Sequence, residues 1–170
     1  MQGRTHTCCF TGHRPEKLPW GTREDDPRCA ALKRKLSDVL EAAYGEGMRH
    51  FICGMARGCD FYFAEAVIAL REKYGDVVLE AAVPCRTQAD KWPEEDAGRW
   101  KNILRQCDLE TMVQTEYTQG CMLRRNRYMV DHSALVIAVY DGSSGGTRYT
   151  LDYALRKNVP FVDIPPVVKA

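Results

Sequence analysis

The sequence predicts an α/β fold of three layers, α/β/α, around a mainly parallel sheet of about six strands. Three observations carry this. Short apolar or β-branched runs alternate with longer amphipathic segments, the pattern of repeated β-α units. One run, ALVIAVY at 134–140, is wholly apolar, as a strand buried on both faces should be. Glycine-rich turns follow the first, second and fifth of these runs, where the chain passes from strand to helix.

The first strand covers 7–11. After a Pro/Trp/Gly loop, a helix over about 27–44 places Ala31, Leu32, Leu36, Val39, Leu40 and Ala43 on one face. Gly45 and Gly47 end it. The second strand, 50–53, runs into GMARGCD and a helix over about 60–74. The third strand, 77–83, stops at Pro84. An irregular segment then leads to a helix over about 93–106, whose Glu94, Glu95 and Asp96 complement the helix dipole. A fourth strand at 110–114 and a basic helix at 122–132 follow, with Met122, Met129 and Val130 as core positions. The fifth strand is the apolar run. The turn DGSSGGT opens a last helix to about Lys157, and 161–164 form the sixth strand.

A length of 170 residues suits one domain spanning 1–170, with no repeat or linker. Apolar residues make up 45% and charged residues 28%, as in a soluble globular protein. With 24 basic and 23 acidic residues the net charge is +1, which gives no support for a nucleic-acid partner and leaves room only for a local basic patch, so none is expected. No apolar run is long enough for a bilayer, and the N-terminal MQGRTHTCCF is unlike a signal peptide. A cytoplasmic protein is expected, with no membrane partner; homo-oligomerisation is left open. The eight cysteines include no CxxC pair and no finger-like spacing with the histidines, so they read as buried thiols in a reducing compartment. No metal and no cofactor is expected.

Right-handed crossovers would bring the strand-to-helix turns to one edge of the sheet, where ligands bind as strand order reverses. In the first turn, Gly12 allows close backbone approach, His13 lies nearest the expected site, and Arg14 suits a two-point phosphate contact. The second turn offers Gly54, Met55, Ala56 and Gly58 with their N–H groups at a helix N-terminus, a favourable place for an anion. It is neither GxGxxG nor a P-loop. Asp60 reads as the helix N-cap or as an acceptor for a ribose hydroxyl. The third turn combines Asp141, Ser143, Ser144, Gly145, Gly146 and Thr147, with Thr147 as cap, into a phosphate cradle. Of the consecutive Arg124, Arg125, Asn126 and Arg127, at most two can face one site. Trp92, Trp100 and Tyr117 are candidates for stacking on a base, with core packing as the other reading. There is no Ser-His-Asp set around His13.

The segment CGMARGCDFYFAEAVIAL, residues 53–70, resembles the SGxARGID…AH…AL motif of the DNA-processing protein DprA. RRNRYMVDHSALVIAVYDGSSGGT, residues 124–147, resembles both the RRNR…LSDAVLVVEA stretch of DprA and the RK…M…SDAFIALPGGxGT stretch of LOG phosphoribohydrolases. These share the SLOG superfamily and its Rossmann-like fold. With TGHRP at 11–15, KWPEED at 91–96, RNRYM at 125–129 and GGT at 145–147, the chain is most similar to the stand-alone YpsA branch over nearly its whole length.

The resemblance implies a pocket for a nucleotide or nucleotide-derived ligand, such as ADP-ribose or a nucleoside phosphate, formed by the three turns and the basic helix. Arg125 matches the catalytic arginine of LOG, but the LOG glutamate position is Thr150 here. Holding a nucleotide is therefore expected over cleaving one. Hydrolysis of an N-glycosidic bond would need Asp60 or Asp141 beside Arg125. DprA-like single-strand binding through Arg124–Arg127 is the remaining alternative.

Overall fold

Apolar runs of four to six residues become strands, and the amphipathic segments between them become the crossover helices that a parallel sheet requires. The computed structural model describes residues 3–169. In chain order the elements are β1 (Thr7–Gly12), α1 (Pro27–Gly45), β2 (His50–Cys53), α2 (Cys59–Tyr74), β3 (Val78–Val83) and α3 (Glu94–Gln106). They continue with β4 (Leu109–Met112), α4 (Cys121–Asp131), β5 (Leu135–Val139), α5 (Gly146–Arg156) and β6 (Phe161–Ile164). Short 3-10 turns precede β1 and follow it at Pro15–Lys17.

The strands lie in the order β4-β3-β2-β1-β5-β6, and every neighbouring pair is parallel. The expected mainly parallel sheet is thus parallel throughout, a Rossmann-like three-layer α/β/α arrangement. The order reverses between β1 and β5, whose register runs from Cys8 opposite Leu135 to Gly12 opposite Val139.

Alternation along the strands divides the core into two clusters. Cys8, Phe10, Phe51, Cys53, Leu79 and Ile137 point to the layer of α1, α2 and α3. Cys9, Ile52, Ala82, Val136 and Ala138 point to α4 and α5. Phe10 stacks on Phe63 of α2, with ring centroids 4.6 Å apart. The thicker layer also carries an ion network in which Arg99 of α3 pairs with Glu24 and Glu65. All eight cysteines are free thiols, seven of them buried. No helix among the described residues is long and apolar enough to cross a membrane.

Two capping assignments differ from the structure. Gly58, not Asp60, holds the N-cap of α2, because its φ of +83° makes the turn that a side chain there would oppose. Gly145, not Thr147, holds the N-cap of α5, and Thr147 lies within the first turn.

Candidate functional site

Because strand order reverses between β1 and β5, the turns leaving them diverge to opposite faces and open a crevice. A cavity of about 390 Å³ occupies it. Gly12, His13 and Arg14 come from the turn after β1, and Gly145, Gly146 and Thr147 from the start of α5. Ala56 and Asp60 come from the start of α2, and Arg125 and Asn126 from α4. Phe10, Met122, Leu123 and Met129 add apolar wall. Met122 is therefore a cavity residue and only partly buried, whereas Met129 and Val130 are core as expected.

The floor holds two buried groups of opposite charge, which act on one another electrostatically without an ion-pair contact. Arg125 is 3% exposed and Asp60 5%. Arg125 Nη1 donates to the Gly54 carbonyl, and its Nε donates to Asn126 Oδ1 at 2.8 Å. The close seat requires glycine at 54, since a Cβ there would lie 2.8 Å from the guanidinium carbon. Asp60 Oδ2 accepts the Ala56 N–H at 2.9 Å. Burial pushes the Asp60 carboxyl up to about 6, against the opposing pull of Arg125. Burial likewise lowers Arg125 below its usual value, with Asp60 pulling the other way. Two floor atoms, Asp60 Oδ1 and Asn126 Nδ2, have no hydrogen-bond partner among the described residues.

The lip is the turn after β5. Gly145 has φ +142°, a conformation reserved for glycine, and no side chain caps α5. The first N–H groups of α5 consequently lack an intrahelical acceptor and carry the positive end of the helix dipole. His13 Nε2 lies 3.0 Å from Asp141 Oδ1 and 3.1 Å from the Asp141 backbone nitrogen. One nitrogen serves only one of these at a time: protonated, it donates to the carboxylate, and unprotonated it accepts the amide. Burial holds His13 below its usual pKa against the pull of Asp141, so the ring favours its neutral form. Ser143 holds the Asp141 carboxyl down to about 2 by hydrogen bonding.

Several sequence assignments shift. Gly54, Met55 and Gly58 do not line the cavity; Met55 is fully buried, so the second turn supports the floor from behind. Asp141, Ser143 and Ser144 lie at the rim, holding the lip rather than lining the space. Thr150 is 1% exposed, and its hydroxyl donates to the Gly146 carbonyl inside α5. Trp92 packs edge-on against Phe61, Trp100 donates to Gln88, and neither tryptophan nor Tyr117 reaches the cavity. Arg124 and Arg127 face away from it, into a groove of about 410 Å³ beside β4. The arrangement thus puts two of the four consecutive polar residues on the site, as helical spacing requires.

Sequence reasoning missed Lys17. Its Nζ donates to Ser143 Oγ at 3.1 Å and to the Ser144 carbonyl at 2.5 Å, and its side chain lines the cavity. The one available signal was its place directly after the TGHRP turn.

The YpsA family model, described as the YspA SLOG family, matches residues 8–160. The SPbeta prophage-derived protein YoqJ of Bacillus subtilis (strain 168) is 32% identical over 142 residues, covering 76% of this chain and 83% of that protein. A UPF0398 protein of Bacillus pumilus (strain SAFR-032) is 24% identical, covering 91% of this chain and 82% of its own.

DNA processing protein A from Helicobacter pylori superposes with TM-score 0.62 at 15% identity. The alignment covers 96% of this chain and 66% of that one. DprA from Streptococcus pneumoniae gives 0.64 at 15%, covering 95% and 51%. This chain therefore spans about two thirds and about half of those two structures, and at such identity the likeness is one of fold.

The Helicobacter pylori protein is described by its single-stranded DNA binding mode. That overturns the expectation, drawn from even charge, against a nucleic-acid partner: net charge averages over the surface, and a local basic stripe such as Arg124 and Arg127 escapes the average. The family match over residues 8–160, together with the YoqJ likeness, places the chain: it belongs to the YpsA family of SLOG domains.

Proposed function

We propose that this chain is a binding or sensing module for a phosphate-bearing nucleotide or nucleotide-derived ligand, a nucleoside phosphate or ADP-ribose. The carrying observation is the cavity at the strand-order reversal, where an uncapped helix N-terminus, Arg14 and Lys17 meet. Phosphate suits that end, and the apolar wall of Phe10, Met122, Leu123 and Met129 suits a base. A thermal-shift panel of the four ribonucleoside 5′-monophosphates and ADP-ribose tests it. A ligand bound to the native state raises the melting temperature by linkage. Gly145→Asp should remove the shift, and a wild-type protein indifferent to every member of the panel would sink the reading.

A second reading, hydrolysis of an N-glycosidic bond, draws on Asp60, a carboxyl near neutral pKa in the same cavity as Arg125. Free base released from a nucleoside monophosphate by the wild type, and not by Arg125→Ala, would establish it. A third reading, single-stranded nucleic acid, draws on the groove of Arg124 and Arg127 outside the cavity. Salt-dependent retardation of a labelled oligonucleotide, lost in an Arg124→Gln/Arg127→Gln double variant, is its test.

A further inference from the structure

We propose that Lys17 is the residue with which the cavity reads a terminal phosphate monoester, its ammonium exchanging the turn after β5 for the phosphate oxygens. This rests on the ligand-binding reading above and assigns the end of the ligand that is recognised.

The ammonium now holds two neutral acceptors, Ser143 Oγ and the Ser144 carbonyl. Among the described residues it has no carboxylate partner, and neither does Arg14 at the same mouth. Arg57 pairs with Glu16 and Asp96, which also occupies Glu16, the acidic residue of the mouth. The position of Lys17 is equally specific: a Cβ on Gly145 would stand 2.7 Å from Nζ, so the ammonium lies directly against the N-cap of α5. A cation and the positive end of a helix thus face one another with no anion between them.

Charge selects the class of ligand. A phosphate monoester carries about −1.5 to −2 at neutral pH, whereas a diester within a nucleic-acid strand carries about −1. Two cations without an ion-pair contact among the described residues, together with a helix N-terminus, fit the monoester. The floor supplies an independent sign of an occupant. Asp60 and Asn126 are 5% and 8% exposed, yet Asp60 Oδ1 and Asn126 Nδ2 line the same cavity unpartnered. Both atoms open onto the cavity, within reach of a ligand that carries hydroxyl or amino groups.

Titration calorimetry of the full chain tests the assignment. The probes are the tightest ribonucleoside 5′-monophosphate of the panel, its parent nucleoside, and the 3′,5′-linked dinucleoside monophosphate of the same base. The monophosphate should bind about tenfold or more tightly than either of the others. Lys17→Met should bring the monophosphate to within a few-fold of the nucleoside without altering nucleoside affinity, and Lys17→Arg should recover part of the loss. Unchanged monophosphate affinity in Lys17→Met would overturn the role of Lys17, as would a dinucleoside probe binding as tightly as the monoester. A wild type that binds none of the panel defeats the ligand-binding reading itself, a separate outcome.

Discussion

GMARGCD after β2 and DGSSGGT after β5 are both glycine-rich strand-to-helix turns on the same edge of the sheet, but the structure uses them oppositely. In the first, Gly54, Met55, Cys59 and Asp60 are buried, and the backbone clasps a guanidinium from another helix. In the second, Asp141, Gly142, Ser144, Gly145 and Gly146 are exposed, and its contacts are with the exposed end of a lysine side chain. One turn makes the floor and the other the lip. Substitutions in the first should therefore cost stability, and those in the second should cost binding.

The largest effect belongs to Arg125→Met. It removes the guanidinium from a fully buried carboxylate and from the Gly54 carbonyl. Leaving a buried carbonyl without its donor and a buried carboxyl without the facing positive charge costs about 3 kcal/mol, measurable by urea unfolding at neutral pH. The pH dependence sharpens this. Asp60 titrates at about 6 in the folded chain, above the usual carboxylate range near 4 that it takes when unfolded. A raised folded pKa contributes stability that is full below about pH 4 and lost as pH rises through about 6. Without Arg125 the folded pKa of Asp60 rises further, so the loss continues above pH 6, where the wild-type contribution has levelled. The stability gap between variant and wild type should widen from pH 6 to 8; a gap independent of pH would mean that Asp60 is not the group left unpaired.

Gly54→Ala comes next. Its Cβ would collide with a guanidinium that is fixed by hydrogen bonds on two sides, so the overpacking cost of about 1–3 kcal/mol cannot be escaped by swinging the side chain away. Gly145→Ala meets a different obstacle. The ammonium of Lys17 can retreat into solvent, but φ +142° strains any L side chain. The loop is exposed and can relax, leaving about 1 kcal/mol of destabilisation together with loss of the ligand-induced thermal shift. If Gly54→Ala kept full stability while Gly145→Ala unfolded the chain, the assignment of floor and lip would be reversed.

What the sequence revealed follows the same division. Strands and helices were legible because hydrophobic period reports which side of an element is buried, and the ALVIAVY run became β5, buried beside β1 where the strand order reverses. The edge carrying the site was legible too, since strand-to-helix turns in parallel sheets gather at one end. Which glycine turn faces the ligand was not legible. Glycine permits both a tight clasp around Arg125 and an open loop, and only the packing of α4 against the second turn decides between them. Asp60 passed for a cap because an acid beside a helix start serves that role locally, whereas its true partner, Ala56, lies four residues back. Lys17 stayed hidden because its contacts are 126 and 127 residues away in sequence.

The smallest effect tests the lip alone. Ser143→Ala deletes a hydroxyl that accepts from the exposed Lys17 ammonium and interacts with the exposed Asp141 carboxylate, while the Ser143 N–H still bonds Asp141 and Lys17 still bonds the Ser144 carbonyl. Stability should move by less than about 0.5 kcal/mol, as for surface substitutions away from caps and buried networks. Phosphate binding should hold or strengthen, because the hydroxyl competes with phosphate oxygens for the same ammonium. A marked loss of stability would show instead that the Lys17 contact braces the fold as firmly as Arg125 does, and that both glycine turns are scaffold.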